Sequence, residues 1–169
     1  SSAHTPTVDS PERDDAFLRR LFAERALIVA ANRGPVTLSW DARCALQTKR
    51  GAGGLVTALS GLCRYADVTW VACANTETDA AWGAGEVPIL DEGRPMRVHF
   101  LSPETATYDG YYNVIANPLL WFLQHSMWDI SRTPIIDRAT WDAWEHGYMP
   151  VNQLFAEAIA ENVRRVGGP

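Results

Sequence analysis

The sequence predicts an α/β fold built on a short parallel sheet, on three observations. Residues 25–31 (RALIVAA) and 68–72 (VTWVA) are short, continuous apolar runs with β-branched members, the pattern of strands buried on both faces. Between them lies Lys49-Arg50-Gly51-Ala52-Gly53-Gly54-Leu55, directly ahead of an apolar, helix-like run over 56–62. Strand, Gly-rich loop, helix and strand in that order form a βαβ pattern, here with a hairpin spliced in. At 169 residues the chain is long enough for one domain with a real core.

The elements follow in order. Residues 1–12 are polar with Pro6 and Pro11, and read as a loosely attached tail. Over 13–24, Phe17, Leu18, Leu21 and Phe22 recur at helical spacing. Residues 1–24 thus make a tail plus a short helix, and 25–169 the domain. The first strand delivers Asn32-Arg33-Gly34-Pro35 at its carboxyl end, where open α/β sheets bind ligands. Residues 36–40 alternate, 41–43 turn, and 44–48 return, which makes the inserted hairpin. A helix over 53–65 puts Leu55, Leu59, Leu62 and Cys63 on one face. Residues 75–85 read as loop. Residues 87–90 and 96–101 read as a second hairpin, the latter also a candidate for the main sheet. His99 in mid-strand reads as a packed or solvent-facing residue.

Residues 109–128 hold Tyr111, Tyr112, Trp121, Phe122 and Trp128 within about five helical turns. Pro118 is expected to start or kink a helix there. Pro134 marks a linker over 131–136. A last helix runs from an Asp137 N-cap to about Val166, with Pro150 kinking it near Gly147 or splitting it into two, and Gly167-Gly168 ending it. Its apolar face is Trp141, Trp144, Tyr148, Val151, Phe155 and Ile159.

Charge and composition exclude several functions. A net charge of −5 argues against a nucleic-acid partner, so any anion site is local. No apolar run approaches the ~20 residues that span a bilayer, and residues 1–15 hold no signal-like apolar block. Cys44, Cys63 and Cys73 are odd in number and scattered, which suits a reducing cytoplasm better than disulfides or a zinc site. No metal or cofactor is implied.

The candidate site residues each have two readings. A helix beginning in glycine offers free N–H groups and the positive end of its dipole to a phosphate; the same glycines also serve a flexible turn. Arg33 suits a phosphate or a sugar hydroxyl, or a surface ion pair. Tyr112 and Trp121, with asparagines between, suit sugar recognition, or they are core.

Taken together, Asn32-Arg33, Gly51-Ala52-Gly53-Gly54-Leu55, Thr69-Trp70-Val71, Tyr111-Tyr112-Asn113, Leu120-Trp121, His125, Trp141, Gly147-Tyr148, Val151-Asn152 and Phe155-Ala156 form an ordered series of motifs. From about Ala26 onward it resembles the N-terminal part of the trehalose-6-phosphate synthases, retaining glycosyltransferases of the two-domain GT-B architecture. The resemblance implies an incomplete, Rossmann-like acceptor-side domain with inserted hairpins and aromatic helices. It implies a nucleotide-glucose donor with its diphosphate against Gly53 and Gly54, and glucose 6-phosphate as acceptor, gripped by Arg33 and enclosed by Tyr112 and Trp121. No catalytic residue is identifiable on this basis. Two departures stand out: Cys73 occupies a position where the family often has tryptophan, and Gly34 one where it commonly has an apolar residue. The family's His-Asp-Tyr motif and second Rossmann domain do not follow the last helix, so the expectation is an N-terminal piece without transferase activity alone. The alternatives are a relative with another phosphorylated acceptor, such as a glucosylglycerol-phosphate synthase or a pseudoglycosyltransferase, and a non-catalytic sugar-phosphate-binding module.

Overall fold

The computed structural model describes residues 11–51, 53–87, 95–125 and 133–167. Its centre is a four-stranded sheet in the order β1-β4-β6-β5. β1 (Ala26–Ala30), β4 (Asp67–Cys73) and β6 (Met96–Leu101) run parallel, and β5 (Ala84–Val87) closes one edge antiparallel to β6. β4 is central and apolar along nearly its whole length, so both of its faces are covered. Val68, Trp70 and Ala72 point to one side with Val29, Val98 and Phe100. Val71 points to the other, with Leu101 and Ala158.

The first face is covered by the hairpin β2 (Val36–Trp40) and β3 (Leu46–Arg50), and by α2 (Gly54–Ser60) with the 3₁₀ turn Gly61–Arg64. Leu38, Val56 and Cys63 are its buried contributions. The second face is covered by α7 (Met149–Val166), which lies over β1, β4 and β6 through Leu154, Phe155 and Ile159. α1 (Pro11–Phe22) leans on the first core through Phe22. It is tied down where the Tyr65 phenol donates to Asp15 at 2.7 Å and Arg19 bridges to the same carboxylate at 2.7 Å.

Several sequence expectations are corrected. The helix after the glycines is not one rod to residue 65: it narrows to a 3₁₀ turn at Gly61, and Val56 rather than Leu55 faces the core, Leu55 being 51% exposed. The returning strand of the first hairpin is Leu46–Arg50, two residues later than expected, because Asp41 folds a longer turn by accepting from the Arg43 and Ala45 N–H groups. The supposed loop 75–85 contains α3 (Glu77–Trp82), started by a reciprocal cap between Thr76 and Asp79. The strand expected at 87–90 is instead β5, ending at Val87; residues 88–90 lie outside the described residues.

The aromatic stretch forms α4 (Thr105–Asp109), a π-helical segment over Gly110–Leu120, and α5 (Trp121–Gln124). Pro118 sits inside the π segment rather than at the start of a helix. The residues expected at 126–128 and 131–132 lie outside the described residues. α6 (Arg138–Ala143) starts at the Asp137 cap, and a second π segment, Trp144–Tyr148, joins it to α7. The expected disturbance before Pro150 is thus a widened turn around Gly147. Here the two aromatic helical stretches nearly touch: a Cβ at Gly147 would lie 2.6 Å from the Tyr111 nitrogen and 2.7 Å from the Gly110 carbonyl carbon. Trp141, expected on the apolar face, is 61% exposed.

Candidate functional site

The parallel strands β1, β4 and β6 all end at one cleft. Asn32 and Arg33 leave β1, Cys73 and Ala74 leave β4, and Phe100 closes the floor from β6. Backbone bonds hold these ends in register: Cys73 N–H donates to Asn32 O at 3.2 Å, and Ala74 N–H to Leu101 O at 2.8 Å. The buried Trp70 indole N–H donates to the Arg33 carbonyl at 3.2 Å, so the core itself fixes the main chain of the Arg33 turn. The Arg33 side chain is left exposed at the rim. Gly51 passes under this turn, its N–H donating to Pro35 O at 2.7 Å. A side chain at Gly51 would strike Gly34 O and Pro35 O, so the close crossing requires glycine.

On the far side the cleft is walled by Asn75, Asp79 and Tyr108. Asp79 is fully buried and accepts from three backbone N–H groups: Leu38 at 2.7 Å, Asn75 at 3.0 Å and Thr76 at 3.1 Å. Thr76 in turn donates to Leu38 O at 3.0 Å. At Leu38 the outward edge of β2 is therefore satisfied by two side chains in place of a neighbouring strand. Among the described residues lining the cleft, Asp79 is the one carboxylate, and its oxygens are committed to these bonds. What the cleft offers a ligand is the Arg33 guanidinium, the Asn32 and Asn75 amides and the Tyr108 phenol, a set suited to an oxyanion carrying hydroxyls.

Tyr108 joins the cleft to the aromatic helices. Its ring stacks on Tyr112 with centroids 5.8 Å apart, and Tyr111 stacks on Tyr148 at 5.9 Å. Burial pushes the Tyr111 phenol up to about 12 and also raises Tyr108, so both are protonated at neutral pH. Burial likewise pushes the Cys73 thiol up to about 11, which makes it a wall of the cleft rather than a nucleophile.

The expected site residues fall into three groups. Arg33 lines the cleft. Tyr112 reaches it through Tyr108, whereas Trp121 is 47% exposed and stacks on His125 at 4.3 Å, outside the cleft lining. Gly53 and Gly54 start α2 apart from that lining. Gly53 has φ 141, open to glycine alone, and a Cβ at either position would meet nothing within 4 Å, so their backbone faces open space. Sequence reasoning passed over Tyr108 and Asp79. Tyr108 stands three and four residues before Tyr111 and Tyr112, a helical spacing that puts all three on one side, and Thr76 with Asp79 carries the spacing of a capping box.

A mostly parallel sheet with a polar cleft at the carboxyl ends of its strands defines an α/β domain. The model of glycosyltransferase family 20 matches residues 25–167, and the chain belongs to that family. It is 36% identical over 134 residues to a trehalose-6-phosphate synthase of Mycolicibacterium vanbaalenii, covering 79% of this chain and 26% of that protein. It is 33% identical over 147 residues to the trehalose-6-phosphate synthase of Mycobacterium ulcerans, covering 87% and 27%. Among solved structures, the trehalose-6-phosphate synthase OtsA superposes with a TM-score of 0.52 at 22% identity, over 81% of this chain and 26% of that one. An E. coli structure described as trehalose-6-phosphate bound with UDP-2-fluoro glucose gives 0.50 at 20%, over 81% and 25%. The structural likeness concerns the fold, and it agrees with the expected α/β, GT-B-type domain. The chain spans about a quarter of the length of the curated relatives it matches.

Proposed function

We propose that this chain is the acceptor-side portion of a trehalose-6-phosphate synthase, transferring glucose with retention from a nucleotide-glucose donor to glucose 6-phosphate. The observation that carries the proposal is Arg33 at the carboxyl end of β1, on the rim of a cleft whose one carboxylate among the described lining residues is already occupied. Family membership and the relatives' names support the same reading. Arg33 takes the acceptor phosphate; Tyr112, stacked on Tyr108, and Trp121, outside the cleft lining in this structure, are the aromatic residues that the family resemblance assigns to the sugar. Gly53 and Gly54 present backbone to the donor diphosphate at the start of α2.

In the transfer, the acceptor hydroxyl oxygen forms a bond to the donor's anomeric carbon as the bond from that carbon to the diphosphate breaks. The hydroxyl proton passes to the departing diphosphate. The protein's part is placement and charge stabilisation. The second nucleotide-holding domain expected from the family resemblance is required for turnover, so the 169-residue chain by itself is inactive. A cytoplasmic location belongs to the same proposal, in keeping with three unpaired thiols.

Calorimetric titration with glucose 6-phosphate, glucose and glycerol 3-phosphate tests the acceptor. Saturable binding of glucose 6-phosphate, abolished in Arg33→Ala, is expected. Preference for glycerol 3-phosphate would move the assignment to a different phosphorylated acceptor, and measurable glucosyl transfer by the chain alone would refute the requirement for a second domain.

A further inference from the structure

We infer that Tyr108 is a specificity-determining residue of the cleft: its phenol O–H, held by Asn32 beside Arg33, donates to a phosphate oxygen of the bound ligand. The inference rests on the acceptor reading above and extends it to a residue outside the motifs that suggested the family.

The hydrogen-bond geometry supplies the argument. Asn32 Nδ2 donates to Tyr108 Oη at 3.0 Å, while the opposite bond, Oη to Asn32 Oδ1, is longer at 3.3 Å. In the shorter arrangement the phenol oxygen accepts, and its own hydrogen remains free for another acceptor. Asp79, the carboxylate among the described lining residues, is fully buried and already accepts three N–H groups. Among the described residues the one protein acceptor within reach of that hydrogen is the neutral Asn32 Oδ1 at 3.3 Å, and a phosphate oxygen, being charged, is the stronger acceptor and displaces that longer bond. Arg33 lies near enough to Tyr108 for its charge to favour the phenolate, and the same charge draws an anion to the phenol. Burial outweighs that effect and keeps the phenol protonated at neutral pH, as a donor must be.

The ring is fixed independently of its hydroxyl. It stacks on Tyr112 at 5.8 Å with 15° between planes, and it meets Tyr111 at 5.9 Å. Asn32, at the other end of the bond, is fixed by its carbonyl accepting from Cys73 N–H. A donor braced from both sides favours one ligand geometry over others, which is the basis of specificity. Tyr108→Phe removes the donor and keeps the stack.

The test is calorimetric titration of the 169-residue chain with glucose 6-phosphate, inorganic phosphate and glucose. Tyr108→Phe is expected to weaken both phosphate ligands by at least about tenfold, to leave glucose unchanged and to keep the thermal midpoint of the parent. Asn32→Ala, which releases the phenol from its brace, is expected to weaken glucose 6-phosphate in the same sense. Saturable binding by the parent with unchanged affinity in Tyr108→Phe would overturn the inference and leave the acceptor reading intact. An equal loss for glucose would overturn the assignment of the bond to phosphate. Absence of glucose 6-phosphate binding by the parent would overturn both readings.

Discussion

Replacing Asp79 with alanine should be among the most damaging single changes outside the apolar core. The carboxylate accepts from Leu38, Asn75 and Thr76 N–H groups at 2.7, 3.0 and 3.1 Å. A hydrogen bond to a charged group contributes about 1.5–3 kcal/mol, and a buried donor left without a partner loses its solvation as well. Leu38 is fully buried, so its N–H incurs the whole penalty; Asn75 and Thr76 are more open, and water replaces part of their loss. The sum is about 3–5 kcal/mol, a large share of a stability of about 5–15 kcal/mol for an ordinary domain. Asp79→Asn keeps one acceptor oxygen but turns an NH₂ group toward donors, so it should recover only part of the loss. Urea unfolding followed by tryptophan fluorescence measures this, with the m-value checked for constancy. A loss below about 1 kcal/mol in Asp79→Ala would refute the claim that this side chain stands in for a neighbouring strand at Leu38 of β2.

Further predictions concern packing, thiols and a helix cap. Gly147→Ala forces a Cβ to within 2.6 Å of the Tyr111 nitrogen; the two helical stretches must separate, with an expected loss of about 1–3 kcal/mol seen as a lower thermal midpoint. Cys44 is exposed and should alkylate readily, whereas Cys73, buried and pushed up to about 11, holds roughly one thiolate per thousand at pH 8 and should react far more slowly, with a rate that climbs as pH approaches 11; mass spectrometry of iodoacetamide adducts reads the order. Asp137 accepts from the Thr140 N–H at 3.0 Å, which holds its carboxyl below the ordinary range. Its contribution to the α6 start is complete above the unfolded value of about 3.9 and is lost as pH falls through the depressed folded value; an NMR titration should place the Asp137 midpoint below 3.9.

The sequence made some parts of this fold legible and concealed others, for physical reasons. β1 and β4 were readable because a strand covered on both faces runs apolar at nearly every position, Thr69 of β4 being a buried exception. The long last helix was readable from its Asp137 cap, its spacing and its Gly167 end, which takes the left-handed conformation. α3 was not, since its six residues are too few to show a period, and the polar stretch around it imitates a loop. The widened turns over Gly110–Leu120 and Trp144–Tyr148 lie where two helical stretches meet at Gly110 and Gly147; Pro150 signalled the disturbance near Gly147, whereas the meeting of the two stretches is tertiary and no local pattern carries it. In the cleft, Arg33 was visible from its place after a strand. Tyr108 and Asp79 reach the same cleft through contacts 76 and 41 residues apart in the chain, and such separations leave little trace in a single sequence.

The central claim is that the cleft at the carboxyl ends of β1, β4 and β6 receives the phosphate of a sugar phosphate. Amide chemical-shift mapping of the isotopically labelled chain during a glucose 6-phosphate titration tests it most directly. Saturable shifts should concentrate at Asn32, Arg33, Gly51, Asn75 and Tyr108, and vanish in Arg33→Ala. Shifts centred elsewhere, or a titration that Arg33→Ala leaves unchanged, would contradict it.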